Sequence, residues 1–145
     1  VVNILPPISL NGGKTSDYFS MRDHAHVDII IQLGAAVGAT TITVYEAQDF
    51  TPTSETAIAF DVFKEETANG DTLGAKVAAT AAGFASVSDG TADTMYVISV
   101  DADKLSDGKP CLAVKFSNPG AQLGSAVAIL SGSRHGQDQN RTEIA

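Results

Sequence analysis

Apolar residues recur at every second position in one short segment of this chain after another, and turn-forming residues separate the segments. Val27-Asp28-Ile29-Ile30-Ile31-Gln32-Leu33 places Val27, Ile29, Ile31 and Leu33 on one face of an extended strand. Thr41 to Ala47 is rich in β-branched residues and follows the flexible stretch Gly34 to Gly38. That spacing predicts an antiparallel hairpin of the two strands across a rather long loop. Ile58 to Lys64 alternates again, with Ile58, Phe60 and Val62 together. Asn69-Gly70 is a turn signal. Leu73 to Val77 and Phe84 to Val87 read as shorter strands, with Ala75 to Ala82 able to form a helical turn. Met95 to Val100, Cys111 to Phe116 and Ser125 to Leu130 complete the set, with Asn118-Pro119-Gly120 as a turn.

Eight or nine strands at this spacing, with no competing helical periodicity, predict an all-β chain, an antiparallel sandwich or barrel. No linker or internal repeat divides it, so residues 1–145 are read as one β domain. The ends differ from the middle. Residues 1–10 are apolar but contain Pro6-Pro7, which excludes a helix and disfavours a central strand. Residues 132–145 are polar and lack core periodicity. These are read either as extended N- and C-terminal arms that grip a neighbour, or as a first arm that packs on its own domain and a disordered tail. The candidate partner-binding residues are Ile4, Leu5 and Ile8 in the first arm, and Arg134, Arg141 and Ile144 in the second.

Charge narrows the partners. The formal net charge is -8, and the nine Lys and Arg residues are scattered without a basic run. A docking surface for nucleic acid or anionic lipid needs clustered cations. No nucleic-acid or membrane partner is therefore expected. Cys111 is the only cysteine, so no intrachain disulfide can form. The start of the chain lacks the charged n-region of a signal peptide.

Motifs that could carry chemistry are incomplete. Gly12-Gly13-Lys14-Thr15 has the ending of a phosphate-binding loop, but Ile8 stands where its first glycine is needed. Asp101, Asp103 and Asp107 are spaced somewhat like calcium ligands. Leu105, Ser106 and Leu112 occupy the positions that require an oxygen ligand, glycine and glutamate. His24 and His26 share a strand face and could begin a zinc site, but nothing in the spacing brings His135 or Cys111 to them. Glu46 and Asp61 could be picked as a carboxylate pair, but they flank apolar strands and are expected to face solvent. No Gly-x-Ser-x-Gly elbow is present. Cys111, in an alternating strand, is expected to be buried and inert. The chain is read as having no enzymatic activity, no cofactor and no metal.

Several segments resemble the head decoration, or cement, proteins of tailed bacteriophages. They are Leu5 to Ile8, His26 to Gly34, Thr41 to Asp49, Met95 to Ala102, and Val127 to Arg134. The resemblance implies an antiparallel, jelly-roll-like β-sandwich on the outer surface of a virion. There it would bind the major capsid protein shell, as a dimer or trimer, and tie neighbouring subunits together against the pressure of packaged DNA. It supplies no catalytic residues. A carbohydrate- or receptor-binding β-sandwich displayed on a virion or cell surface is the alternative, and would need exposed aromatic rings. A tail, fibre or head-completion component is a third reading.

Overall fold

A computed structural model describes residues 1–35, 38–52, 54–64, 73–86 and 93–133. Among them the chain forms twelve strands and one short 3-10 helix. In order these are β1 (Val2–Ser9), β2 (Lys14–Thr15), β3 (Phe19–Ser20), β4 (His24–Leu33), β5 (Thr41–Ala47), β6 (Glu55–Ile58) and β7 (Phe60–Lys64). Then come β8 (Val77–Ala79), β9 (Phe84–Ala85), β10 (Thr94–Asp101), η1 (Ala102–Lys104), β11 (Cys111–Phe116) and β12 (Leu123–Ser133). Every pairing is antiparallel. Sheet A runs β1-β12-β4-β10-β7-β8. Sheet B runs β2-β11-β5-β6, with β3 also on β11 and β9 also on β5.

The alternation in the sequence decides which face of each strand is dry. Val27, Ile29, Ile31 and Leu33 of β4 are buried, as are Tyr96, Ile98 and Val100 of β10. From sheet B, Ile42 and Val44 of β5 and Leu112, Val114 and Phe116 of β11 meet them in one apolar cluster. Small residues let the sheets approach. Ala126 lies between Leu5 and Ile31 in register, and Ala128 between Val2 and Ile29. A Cβ on Gly124 would come within 2.7 Å of the Leu10 side chain and 3.1 Å of Leu33, so the missing side chain is the space that Leu10 fills.

Three expectations change here. First, β4 and β5 do not pair with each other. They lie in opposite sheets. Second, the segment read as one strand over Ile58 to Lys64 breaks at Ala59. Ile58 belongs to sheet B and Phe60 to sheet A, and both remain buried. Third, Ala75 to Ala82 forms no helical turn: Val77–Ala79 is the edge strand β8, and a turn from Thr80 to Gly83 follows it.

The first ten residues also behave differently from a free arm. They form β1, an edge strand against β12. Two register irregularities flank Leu5, one before it and one spanning Pro6-Pro7, which supply no N–H to a ladder and are exposed on the edge. Ile4 and Leu10 are fully buried and Leu5 nearly so. Asn69-Gly70 and residues 134–145 lie outside the described residues.

Candidate functional site

The two outer faces of the sandwich differ. On sheet B, Tyr18 lies against Ala47, Cys111 and Ala113, whose small side chains make room for its ring. Its hydroxyl donates to Glu55, which also pairs with Lys115. The Lys115 ammonium sits 4.1 Å from the centre of the Tyr45 ring. Burial, followed by Glu55, pushes the Tyr18 phenol well above its ordinary range. Lys115, followed by Tyr18, pulls the Glu55 carboxyl down. The group is a self-satisfied network that covers the sheet. Burial raises the Cys111 thiol as well, which keeps it protonated and unreactive at neutral pH.

Sheet A presents a different outer face. One row across four strands, Val127, Ile30, Val97 and Phe63, is apolar and half-buried. The next row is polar from β4 onward: Asp28, Ser99 and Asp61 stand side by side, with Ile129 at the other end. His26 closes the group, with Asp101 as its direct cross-strand partner. Nδ1 of His26 is 2.7 Å from Asp101, and Nε2 is 3.1 Å from Asp28. The Ser99 hydroxyl donates to Asp28 rather than to the imidazole. The imidazole therefore does not stand behind Ser99, and the three side chains are not in the order of a Ser-His-Asp triad.

At one end of this sheet a shallow hollow of about 480 Å³ is lined by Pro7, Gln32, Asp93, Met95 and Leu123, among others. Asp93 accepts the Ala35 N–H at 3.0 Å. Leu123 is 63 % exposed at the rim. Asp93 is the single titratable residue of its lining among the described residues.

Residues singled out in the sequence are dispersed. Of the candidate partner residues, Ile4 and Leu5 are inside the domain's own core and present nothing to a neighbour. The reason is simple: apolar side chains on a short edge strand gain more by covering the open end of the core than by standing in water. Ile8 alone among the first three is exposed, at 40 %. Arg134, Arg141 and Ile144 lie outside the described residues. His24 and His26 are on sheet A, whereas Cys111 faces outward from sheet B, so the two histidines and the thiol are on opposite sides of the sandwich. His135 lies outside the described residues. Among the described residues no set of three His, Cys, Asp or Glu could hold a metal ion. Gly12-Gly13 is a turn that enters β2, not a loop that opens a helix. The Asp101 carboxylate is engaged by His26.

Glu46 corrects another expectation. It shares the inner face of β5 with Ile42 and Val44, and is 1 % exposed rather than solvent-facing. Asp61 points out from sheet A, so no common cleft lies between the two carboxylates. Glu46 accepts the Ser106 N–H at 2.8 Å and stands 3.6 Å from the Lys109 ammonium. It ties the loop after η1 over one end of the core. Glu46→Ala removes the acceptor of the part-buried Ser106 N–H and leaves the Lys109 ammonium with Thr56 alone, and is expected to cost about 1–3 kcal/mol. Urea denaturation measures this. A cost under about 1 kcal/mol would mean that the loop is held by something else.

The signal that sequence inspection missed is the pairing of His26 with Asp101, 75 residues away. The alternation places both on outward positions, but register is what makes them neighbours. No family model matches the chain, and it has no match among curated proteins or solved structures.

Proposed function

We propose that this chain is a structural cement protein. In this reading it binds the major capsid protein shell of a tailed phage from outside and stabilises it, as a dimer or trimer, without catalysis, cofactor or metal. The observation that carries the proposal is the nesting of the strands. β1 pairs with β12, β2 and β3 with β11, β4 with β10, and β5 with β9. Folded in this way, the chain is a long antiparallel ribbon wound so that successive pairs alternate between the sheets. That order supports the jelly-roll reading, an architecture used by capsid and lectin domains.

The aromatic residues separate these two uses. Sugar recognition on such a scaffold relies on exposed ring faces. Tyr96 is fully buried, Tyr18 is 6 % exposed, and Tyr45 carries Lys115 over its ring, which leaves Phe50, at 38 %, as the one exposed aromatic side chain among the described residues. That distribution favours the structural role over carbohydrate binding. The net charge of -8 favours a station away from packaged DNA.

Quantitative mass spectrometry of virions that carry this chain tests the proposal. A copy number equal to that of the major capsid protein, or a simple fraction of it, is expected. A handful of copies, or absence from the particle, would overturn it. A chain ending at Ser133 is expected to keep its thermal transition and to bind capsids at least tenfold more weakly, through the loss of Arg134, Arg141 and Ile144. Unchanged binding would remove the C-terminal tail from the interaction.

A further inference from the structure

His26 stands between two carboxylates, and both of its ring nitrogens are used. A neutral imidazole carries one N–H and one lone pair. In that form one of the two contacts would set a lone pair against a carboxylate oxygen. The imidazolium donates at both nitrogens and satisfies both contacts. Register imposes the arrangement: Asp101 is the cross-strand partner of His26, and Asp28 is two residues along β4 on the same face.

A second observation concerns Asp101 itself. It is the last residue of β10 and the N-cap of η1. Its backbone is extended, at φ -90° and ψ 143°, as a capping residue requires. Aspartate is among the best capping residues, yet its side chain makes no capping hydrogen bond. The carboxylate is turned to His26 instead. One side chain thus has two uses.

We propose that His26 is a pH-sensitive clasp: charged, it fastens the end of β10 to β4 and holds Asp101 away from η1; neutral, it releases Asp101 to cap η1 and loosens the exit from sheet A. The inference is independent of the capsid role.

The surrounding charges agree with this. β4 contributes His24 and Asp28, and β10 contributes Asp101. β7 contributes Asp61, paired with Lys76 at 3.2 Å, and the start of η1 brings Asp103 and Lys104. Lys104 lines one hollow with Asp61 and Asp101. β12 places Ser131 opposite His26, and Leu123–Ser133 contains no titratable side chain. On this face Asp28, Asp61 and Asp101 meet Lys76 and Lys104, and the imidazolium is the third positive charge. Burial pushes the ring's pKa down, but the hydrogen bonds to Asp101 and Asp28 outweigh it and leave it above the ordinary histidine value. The sign follows. The clasp is complete below the pKa of an unfolded histidine, and is lost as pH rises through the higher folded value.

Nitrogen-15 NMR of the histidine rings across pH, on the full chain, tests the clasp. The His26 signal is assigned by its loss in His26→Gln. Both ring nitrogens of His26 are expected to stay protonated beyond the pH at which an ordinary histidine is half titrated. The midpoint is expected to fall in Asp101→Asn and in Asp28→Asn. The amides of Asp103 and Lys104, which would receive the cap, are expected to shift with the same midpoint in the wild-type chain. A wild-type midpoint at or below the ordinary value would overturn the clasp. So would a midpoint unchanged in both variants. Amides of η1 that ignore the His26 titration would overturn the exchange of Asp101.

Discussion

Removal of residues 1–10 is expected to abolish cooperative folding rather than to detach a binding arm. Three large aliphatic side chains leave with that segment, Ile4, Leu5 and Leu10, none more than 6 % exposed. Truncation of one buried Leu or Ile costs about 2–5 kcal/mol, so the three together approach the roughly 5–15 kcal/mol that holds an ordinary domain. The backbone loss adds to this. β12 loses its neighbour and becomes an open edge, while the bonds from Leu10 to Gln122 and from Asp17 to Ile4, each 2.8 Å, disappear. Circular dichroism of residues 11–145 during thermal unfolding measures the outcome. A transition within a few degrees of the full chain would show that β1 is dispensable. Point variants give the same answer on a finer scale. Ile4→Ala is expected to cost about 2–5 kcal/mol, and the exposed Ile8→Ala under about 1 kcal/mol.

This result bears on how a sequence with Pro6-Pro7 should be read. The two prolines do exclude a central strand, and β1 is not one. They do not exclude an edge strand, because an edge leaves one side of the backbone without a ladder. Apolar content was the better guide to burial, since Ile4, Leu5 and Leu10 had to be covered by something. Nothing in a single sequence says whether the cover is the chain's own second sheet or another molecule.

The same distinction runs through the rest of the fold. Alternation is a local property, so β4, β5, β10 and β11 were legible as strands, together with the face that β4 buries. Partner choice is not local. β4 and β5 look like a hairpin because they are adjacent and share a pattern, yet each pairs with strands far along the chain. The corner at Ala59 was hidden because Ile58 and Phe60 keep the same period while they change sheets. The parity of β5 did contain the burial of Glu46, which follows Ile42 and Val44 at even spacing. A carboxylate at a core position reads as an exception until Ser106 and Lys109 are seen to satisfy it. The His26 group was half visible. Its outward position followed from the alternation of β4, but the two carboxylates around it required the register with β10.

Gly83→Ala is expected to be among the most damaging single-methyl additions that this chain can receive. Gly83 closes the turn from Thr80, with its N–H on the Thr80 carbonyl at 2.8 Å, and delivers Phe84 into β9. Its φ of +79° lies in the left-handed region, which costs an L-residue about 1–2 kcal/mol. The larger problem is room. A Cβ would stand 2.1 Å from the Ile42 carbonyl oxygen and 2.6 Å from Cγ2 of Thr43. The carbonyl belongs to the backbone of β5, which is held between β11 and the short strands on its other side, so it cannot swing away. Relief requires β9 to move off β5, and Phe84 moves with it. The Phe84 ring centre is 5.1 Å from that of Tyr96 and 6.0 Å from that of Phe60, so the shift opens the core between the sheets. Overpacking of this kind costs about 1–3 kcal/mol, which brings the expected total to roughly 2–5 kcal/mol. Gly12→Ala is the matched control. It has nearly the same φ, +81°, and nothing within 4 Å of the added methyl, so it bears the conformational cost alone. Urea denaturation of both variants isolates the steric term. Equal losses would mean that β9 does not approach β5 as closely as described, and the excess in Gly83→Ala measures how firmly the two sheets are held there.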